Sequence, residues 1–152
     1  PAKFLGEGWS IWRGPADGNG LSGNEEQDER SLALTEVDLS KVRFETCLHD
    51  GESSITGEEK LKRLKEAGFI RLDAKIFQTL CENKDKISES WKEKINGNIR
   101  YIFFDGTTLR RPSGRRDVLF FFWDGGGWRW RCRWFSGDWY ASRPSAVLAS
   151  PA

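Results

Sequence analysis

The spacing of apolar residues changes along this chain, and each change predicts an element. Residues 3–13 (KFLGEGWSIWR) gather Phe4, Leu5, Trp9, Ile11 and Trp12 into a cluster that predicts a short strand or an anchoring segment. Residues 14–30 are rich in Gly and acidic side chains, which predicts a flexible loop. Two β-like pieces occupy 31–48: SLALTEVDL, with Leu32 and Leu34 in alternation, and KVRFETCL, with Val42, Phe44 and Leu48, closed by His49-Asp50-Gly51. Thr56-Gly57-Glu58-Glu59 is a capping box, in which the hydroxyl accepts from the third helical N–H. The helix it opens places Leu61, Leu64 and Ala67 on one stripe, leaves Lys60, Lys62, Arg63 and Lys65 on the solvated face, and stops at Gly68. Asp73 caps a second helix with Ile76, Phe77 and Leu80 inward. Residues 84–98 are polar, anchored by Ile87, Trp91 and Ile95, and end in an Asn96-Gly97-Asn98 turn.

From Ile99 the period becomes that of strands. Ile99–Phe104 is followed by a turn at Asp105-Gly106, a second turn at Arg111-Pro112-Ser113-Gly114, and two apolar runs, Val118–Trp123 and Trp128–Phe135, flanking Asp124-Gly125-Gly126-Gly127. Asp-Gly between aromatic-rich runs predicts a hairpin. In its second arm Trp128, Trp130, Cys132 and Trp134 share a face assigned to the core, with Arg129, Arg131, Arg133 and Phe135 opposite. Ser136, Gly137, Asp138, Tyr140, Ser142 and Arg143 follow as further exposed candidates around Trp139, and Ala146–Ala149 is a last short strand. The order β-β-α-α-β-β-β is an α+β pattern, read as one domain over 1–152.

Composition sharpens the contrast between the two parts. The net charge of +1 hides 15 Lys and Arg against 19 Asp and Glu over 1–99, and 9 Arg against 4 Asp over 100–152. After Asn98 there is no Lys, Glu, Asn, Gln or Met, so all later positive charge is Arg. Arginine offers a planar fork and stacks on rings, and a surface of Arg, Trp, Tyr, Gly and Ser has the composition of a recognition surface. No long apolar run and no basic-then-apolar N-terminus predict a membrane span or cleavable signal, which leaves the cytoplasm as the default location. Cys47, Cys81 and Cys132 are odd in number and lack any CxxC, which predicts reduced thiols, and with His49 the single histidine no metal or other cofactor is expected.

Catalytic patterns are missing. There is no nucleophile elbow, phosphate loop or HExxH; the Gly125–Gly127 run leads into a strand and not a helix N-terminus. Asp105, Asp117, Asp124 and Asp138 could pair as acid and base, but three of the four stand next to Gly in turn contexts, the commoner reason for Asp. Asp17 and Asn19 begin like a calcium loop, but Leu21 takes the next ligand position.

The stretches KLKRLKEAG, IRLDAKIFQTL, ESWKEK, IFFDGT and W-x-W-x-x-x-W, with the closing PSAVLAS, resemble a family of short proteins of ultra-small bacteria with reduced genomes. Its members end in a Trp-punctuated segment followed by PSAVLAS or PAAVLAS. The segment 118–150 also resembles the variable region of targets of diversity-generating retroelements, which rewrite a gene's 3′ end by mutating template adenines. An AAC or AAT codon altered at its adenines never yields Lys, Glu, Gln, Met or Trp. The twelve residues between the tryptophans, Arg129, Arg131, Cys132, Arg133, Phe135, Ser136, Gly137, Asp138, Tyr140, Ala141, Ser142 and Arg143, all obey that restriction. The resemblance implies a C-type-lectin-like fold, with two helices preceding an antiparallel sheet, although PSAVLAS stands where such regions usually end in Gly-Phe-Arg.

The expected function is therefore non-catalytic ligand binding, with Trp128, Trp130, Trp134 and Trp139 as scaffold, Arg129, Arg131, Cys132, Arg133, Ser136, Gly137, Asp138, Tyr140, Ser142 and Arg143 as the variable face, and a protein as partner. The alternative is a module for single-stranded nucleic acid, or a winged helix built on residues 57–83 with the hairpin as wing. Tryptophans assigned to the core weigh against base stacking.

Overall fold

A run as apolar as Val118-Leu119-Phe120-Phe121-Phe122 has no polar face, so a strand made from it must be covered on both sides. The computed structural model describes residues 2–3, 22–34, 36–110 and 114–149, and builds the chain around that strand. The expected N-terminal apolar cluster from Phe4, the Asp17/Asn19 stretch and the turn residues 111–113 lie outside the described residues. In chain order the strands are β1 Ala2–Lys3, β2 Ser22–Gln27, β3 Glu36–Val37, β4 Arg43–Glu45, β5 Ser54–Thr56 and β6 Ile70–Arg71. They continue with β7 Ile102–Phe103, β8 Thr107–Arg110, β9 Arg116–Trp123, β10 Trp128–Trp134, β11 Asp138–Tyr140 and β12 Ser145–Leu148. The helices are α1 Glu29–Leu32, α2 Gly57–Glu66 and α3 Ala74–Glu82.

The architecture is mixed α+β with an antiparallel-rich sheet. The main sheet runs β2-β8-β9-β7-β12-β4, with β10 on the other edge of β9 and β6 on β12. Its pairs are antiparallel except β7 with β12. Two small ladders stand apart, β1 with β3 and β5 with β11. On one face of β9, Leu119 and Phe121 pack with Ile76, Phe77 and Leu80 of α3 and with Trp128. On the other, Val118 and Phe120 pack with Phe103, Phe135 and Trp139. Phe77 stacks on Phe121 at 4.3 Å between ring centroids, and Phe103 on Phe120 at 4.7 Å, so each face has its own aromatic centre.

Local signals in the sequence form as expected. The Thr56 hydroxyl accepts from Glu59 N at 3.2 Å, and Asp73 Oδ1 from Ile76 N at 3.0 Å. Asn96 and Gly97 take φ of 52° and 80°, the left-handed pair that a tight hairpin turn demands, and Ile95 bridges Asn98 across it.

Four expectations are corrected. Residues 22–27 of the supposed loop form β2, paired with β8. Residues 29–32, read as the end of the loop and the start of a strand, form α1, because Asp28 accepts from Arg30 N as an N-cap and the buried Lys75 ammonium donates to the carbonyls of Leu32 and Leu34. Lys60, placed on the solvated face, is only 1% exposed; its ammonium lies 4.5 Å from the Trp139 ring centroid and donates to Arg143 O at 2.8 Å. Finally, residues 57–83 are not two helices joined by a turn alone: β6 intervenes, and α3 is buried at every position from Ala74 to Leu80.

A buried polar hub ties β2 and β6 together. Arg71, 4% exposed, donates to Asp105 O and reaches Glu26, while its backbone N–H donates to Asp28 Oδ2. Further out, Arg63 bonds both oxygens of Glu52 at 2.6 and 3.1 Å and the carbonyl of Cys47, clasping the 46–53 loop to α2.

Two outcomes follow. Lys60→Ala removes three buried methylenes and the ammonium beside Trp139 and should cost about 2–4 kcal/mol in denaturant unfolding, whereas Lys62→Ala, on the exposed side, should stay within ~0.5 kcal/mol. The Arg63 bonds hold the Glu52 carboxyl down to about 2 from its ordinary 4.5. A depressed carboxylate stabilises above its unfolded value and loses that contribution as pH falls toward the folded one. NMR titration of Glu52 should therefore show a midpoint near 2 in the native chain, returning toward 4.5 in Arg63→Gln.

Candidate functional site: an arginine groove with an aromatic floor

The hairpin register fixes which side chains meet. Asp124 Oδ1 accepts from Gly126 N and Gly127 N at 2.8 and 3.0 Å, closing the turn so that Trp128 faces Trp123. Arg129, Arg131 and Arg133 then lie opposite Phe122, Phe120 and Val118. Directly opposed residues share a face of the sheet, so the arginines lie on the face of the second aromatic cluster, with Arg129 and Arg131 exposed above it.

Past Cys132 the expected division of faces breaks down. Trp134, assigned to the core scaffold, is 51% exposed; its cross-strand neighbour is Asp117, a buried carboxylate held by Arg115 at 2.8 Å, and not an apolar ring. Phe135, assigned outward, is 3% exposed within the second cluster. Trp128 and Trp139 are buried as expected, and Trp130 and Cys132 pack half-buried against the first cluster.

After Phe135 the chain leaves the main sheet, and main-chain carbonyls hold it. Phe135 O accepts from Trp139 Nε1 at 3.0 Å, Ser142 O from Tyr101 N at 2.8 Å, and Arg143 O from Lys60. The start of α2 presses on the same segment. A Cβ on Gly57 would lie 1.7 Å from Phe135 O, so glycine is needed for this close approach. β11 pairs with β5, which leaves Asp138 and Tyr140 projecting on either side of Trp139. Ser136 is engaged, its hydroxyl donating to Glu58 and accepting from Arg116.

Between β10, β9 and the 140–144 turn lies a groove of about 570 Å³. Of the residues expected at the binding face, Arg131, Cys132, Arg133 and Arg143 line it, together with Trp134. Arg129 does not: its guanidinium bonds Asp124 at 2.7 Å, in its own turn. Ser136, Gly137, Asp138, Tyr140 and Ser142 border the segment without lining the groove. The floor was missed in the sequence: Tyr101, Phe103, Phe120 and Phe122, with Arg115 at one side. The alternation Tyr101/Phe103 and Phe120/Phe122, brought together by the pairing of β7 with β9, is the signal that would have found it.

The electrostatics are one-sided. Arg133 and Arg143 each donate to Asp138 O at 3.1 Å, so two guanidiniums sit side by side on one carbonyl. Burial, and then the neighbouring Arg133 charge, pull the Arg143 pKa down. Arg133 Nε is buried with no hydrogen-bond partner. Arg131 is exposed, its guanidinium carbon 5.9 Å from the Phe122 centroid. Among the described residues no group of His, Cys, Asp and Glu is arranged to hold a metal ion, and no helix is long and apolar enough to cross a membrane. The groove can seat an oxyanion beside a flat apolar group.

Comparison with protein-family profiles, curated proteins and solved structures gives no match.

The two tryptophans at the ends of this loop should respond differently. Trp139→Ala should cost about 3–5 kcal/mol in denaturant unfolding, and Trp134→Ala less than ~1 kcal/mol. Equal costs would mean that Trp134 is covered.

Proposed function

We propose that this chain is a non-catalytic ligand-binding protein whose residues 129–143 form a diversified recognition surface on a C-type-lectin-like arrangement of two helices and a sheet. The observation that supports it is the division of labour within that segment. Trp128, Phe135 and Trp139 are buried, while Arg129 and Arg131 project from β10 and Asp138, Tyr140 and Ala141 from the segment after it, which main-chain bonds help to hold. α2 and α3 precede the strands that carry this segment, the order that the resemblance implies. The partner is a protein: Arg131, Arg133, Tyr140 and Arg143 serve as anchors, and Gly137 and Ser142 adapt around them.

One feature favours the nucleic-acid alternative more than the sequence did. Half-buried Tyr101 and Phe122 lie under the arginines, as rings do in single-strand stacking grooves. A salt titration of oligonucleotide binding separates the readings, because a slope of no more than about one phosphate counts against nucleic acid.

The diversified surface is tested by deep sequencing the 3′ end of the gene across a population of source cells. Changes should concentrate at codons 129–143, follow template adenines and spare the Trp codons. A segment as invariant as α2 and α3 would sink the proposal.

A further inference from the structure

The charges around the groove are unevenly neutralised. Arg129 pairs with Asp124, Arg115 with Asp117 and Arg116 with Glu58, at 2.7, 2.8 and 3.0 Å. Arg131, Arg133 and Arg143, the three that line the groove from the C-terminal segment, have no ion pair among the described residues. Arg133 and Arg143 are nevertheless brought together on a single carbonyl oxygen, an arrangement in which like charges repel unless an anion bridges them. Arg133 Nε is also buried without a hydrogen-bond partner, so the donors of this guanidinium are not saturated within the chain. Beneath these groups the floor is aromatic, from Phe120, Phe122 and Tyr101.

Resting on the reading of this segment as a binding surface, we infer that the groove selects an acidic polypeptide segment, seating a carboxylate between Arg133 and Arg143 and the neighbouring aromatic side chain on the Phe122–Tyr101 floor beside Arg131. Charge complementarity favours this occupant over a nucleic-acid strand. The free positive charge is focal, confined to one groove of about 570 Å³, a volume that suits a few side chains. A strand carrying a phosphate at every nucleotide needs a continuing basic track. Here the neighbouring arginines are each held by a carboxylate, and the adjacent start of α2 carries Glu58 and Glu59.

The test is calorimetric titration of the full chain at low salt with three probes: a capped peptide of alternating Asp and Tyr, the same peptide with Asn for Asp, and a short oligothymidylate. The acidic peptide should bind saturably and the Asn peptide should not. Arg133→Gln and Arg143→Gln should each weaken binding by about tenfold. Arg131→Gln, at an exposed position, should weaken it with an unchanged melting curve, so that loss of binding is not confused with loss of fold. Equal binding of the Asn peptide, tighter binding of the oligothymidylate, or no saturable binding of the acidic peptide would overturn the inference. If codons 129–143 vary in the population and the acidic peptide does not bind, the diversified surface stands and the anion preference falls. Binding of the peptide with invariant codons gives the reverse.

Discussion

A strand that is apolar on both faces cannot lie on the surface of anything, and the constraint imposed by β9 propagates through the rest of the molecule. Leu119 and Phe121 require α3 on one side, which is why that helix is buried along its length and needs Asp73, Lys75 and Thr79 bonded internally. Val118 and Phe120 require cover on the other side, where α2 contributes Leu61. The rest of the cover comes from Phe103 of the neighbouring β7 and from Phe135 and Trp139, which the chain brings over as it leaves the main sheet after β10. That cover is partial. Where it stops, Phe120, Phe122 and Tyr101 form the floor of an open groove, and the alternation of β10 puts arginines along its edge.

The aromatic floor and the arginine rim are thus one consequence of strand geometry. Their separation into a buried and an accessible part depends on how the 135–144 segment is pinned. Lys60 is the pin from the α2 side, its stem filling space against Trp139 and Phe103 while its ammonium finds a carbonyl. An ammonium so enclosed is costly unless bonded, and the Arg143 carbonyl and two ring faces are what offset that cost.

Much of this was legible from residue order alone. The Asp124–Gly127 hairpin, the Thr56 and Asp73 caps, the Asn96-Gly97 turn and the last strand are set by local chemistry, and local chemistry is what a sequence displays. Lys60, Trp134 and Phe135 were misplaced for a common reason. Period-two and period-3.6 arguments decide which side chains share a face, but what covers that face depends on segments distant in the chain. Lys60 falls on the helix face that β11 happens to meet, and Trp134 lies where the first core has already ended. The α1 helix was hidden because its support comes from Asp28 and from Lys75, the latter more than forty residues away. The groove floor could have been assembled by combining the hairpin register with the alternation of the neighbouring strand.

The loop that carries the site is held by main-chain atoms more than by its side chains. Phe135, Asp138, Ser142 and Arg143 each contribute a carbonyl, and Phe135, Gly137 and Arg143 each contribute an N–H. Carbonyls are common to all amino acids, so the side chain at most of these positions can be exchanged without removing an anchor. The imino acid is the exception: proline at Phe135, Gly137 or Arg143 would delete a donor outright. It is also among the residues an adenine-altered AAC or AAT codon can reach. A rewritten segment would therefore carry its own filter, in which molecules that receive proline at those places are lost at the stage of folding, before any partner is encountered.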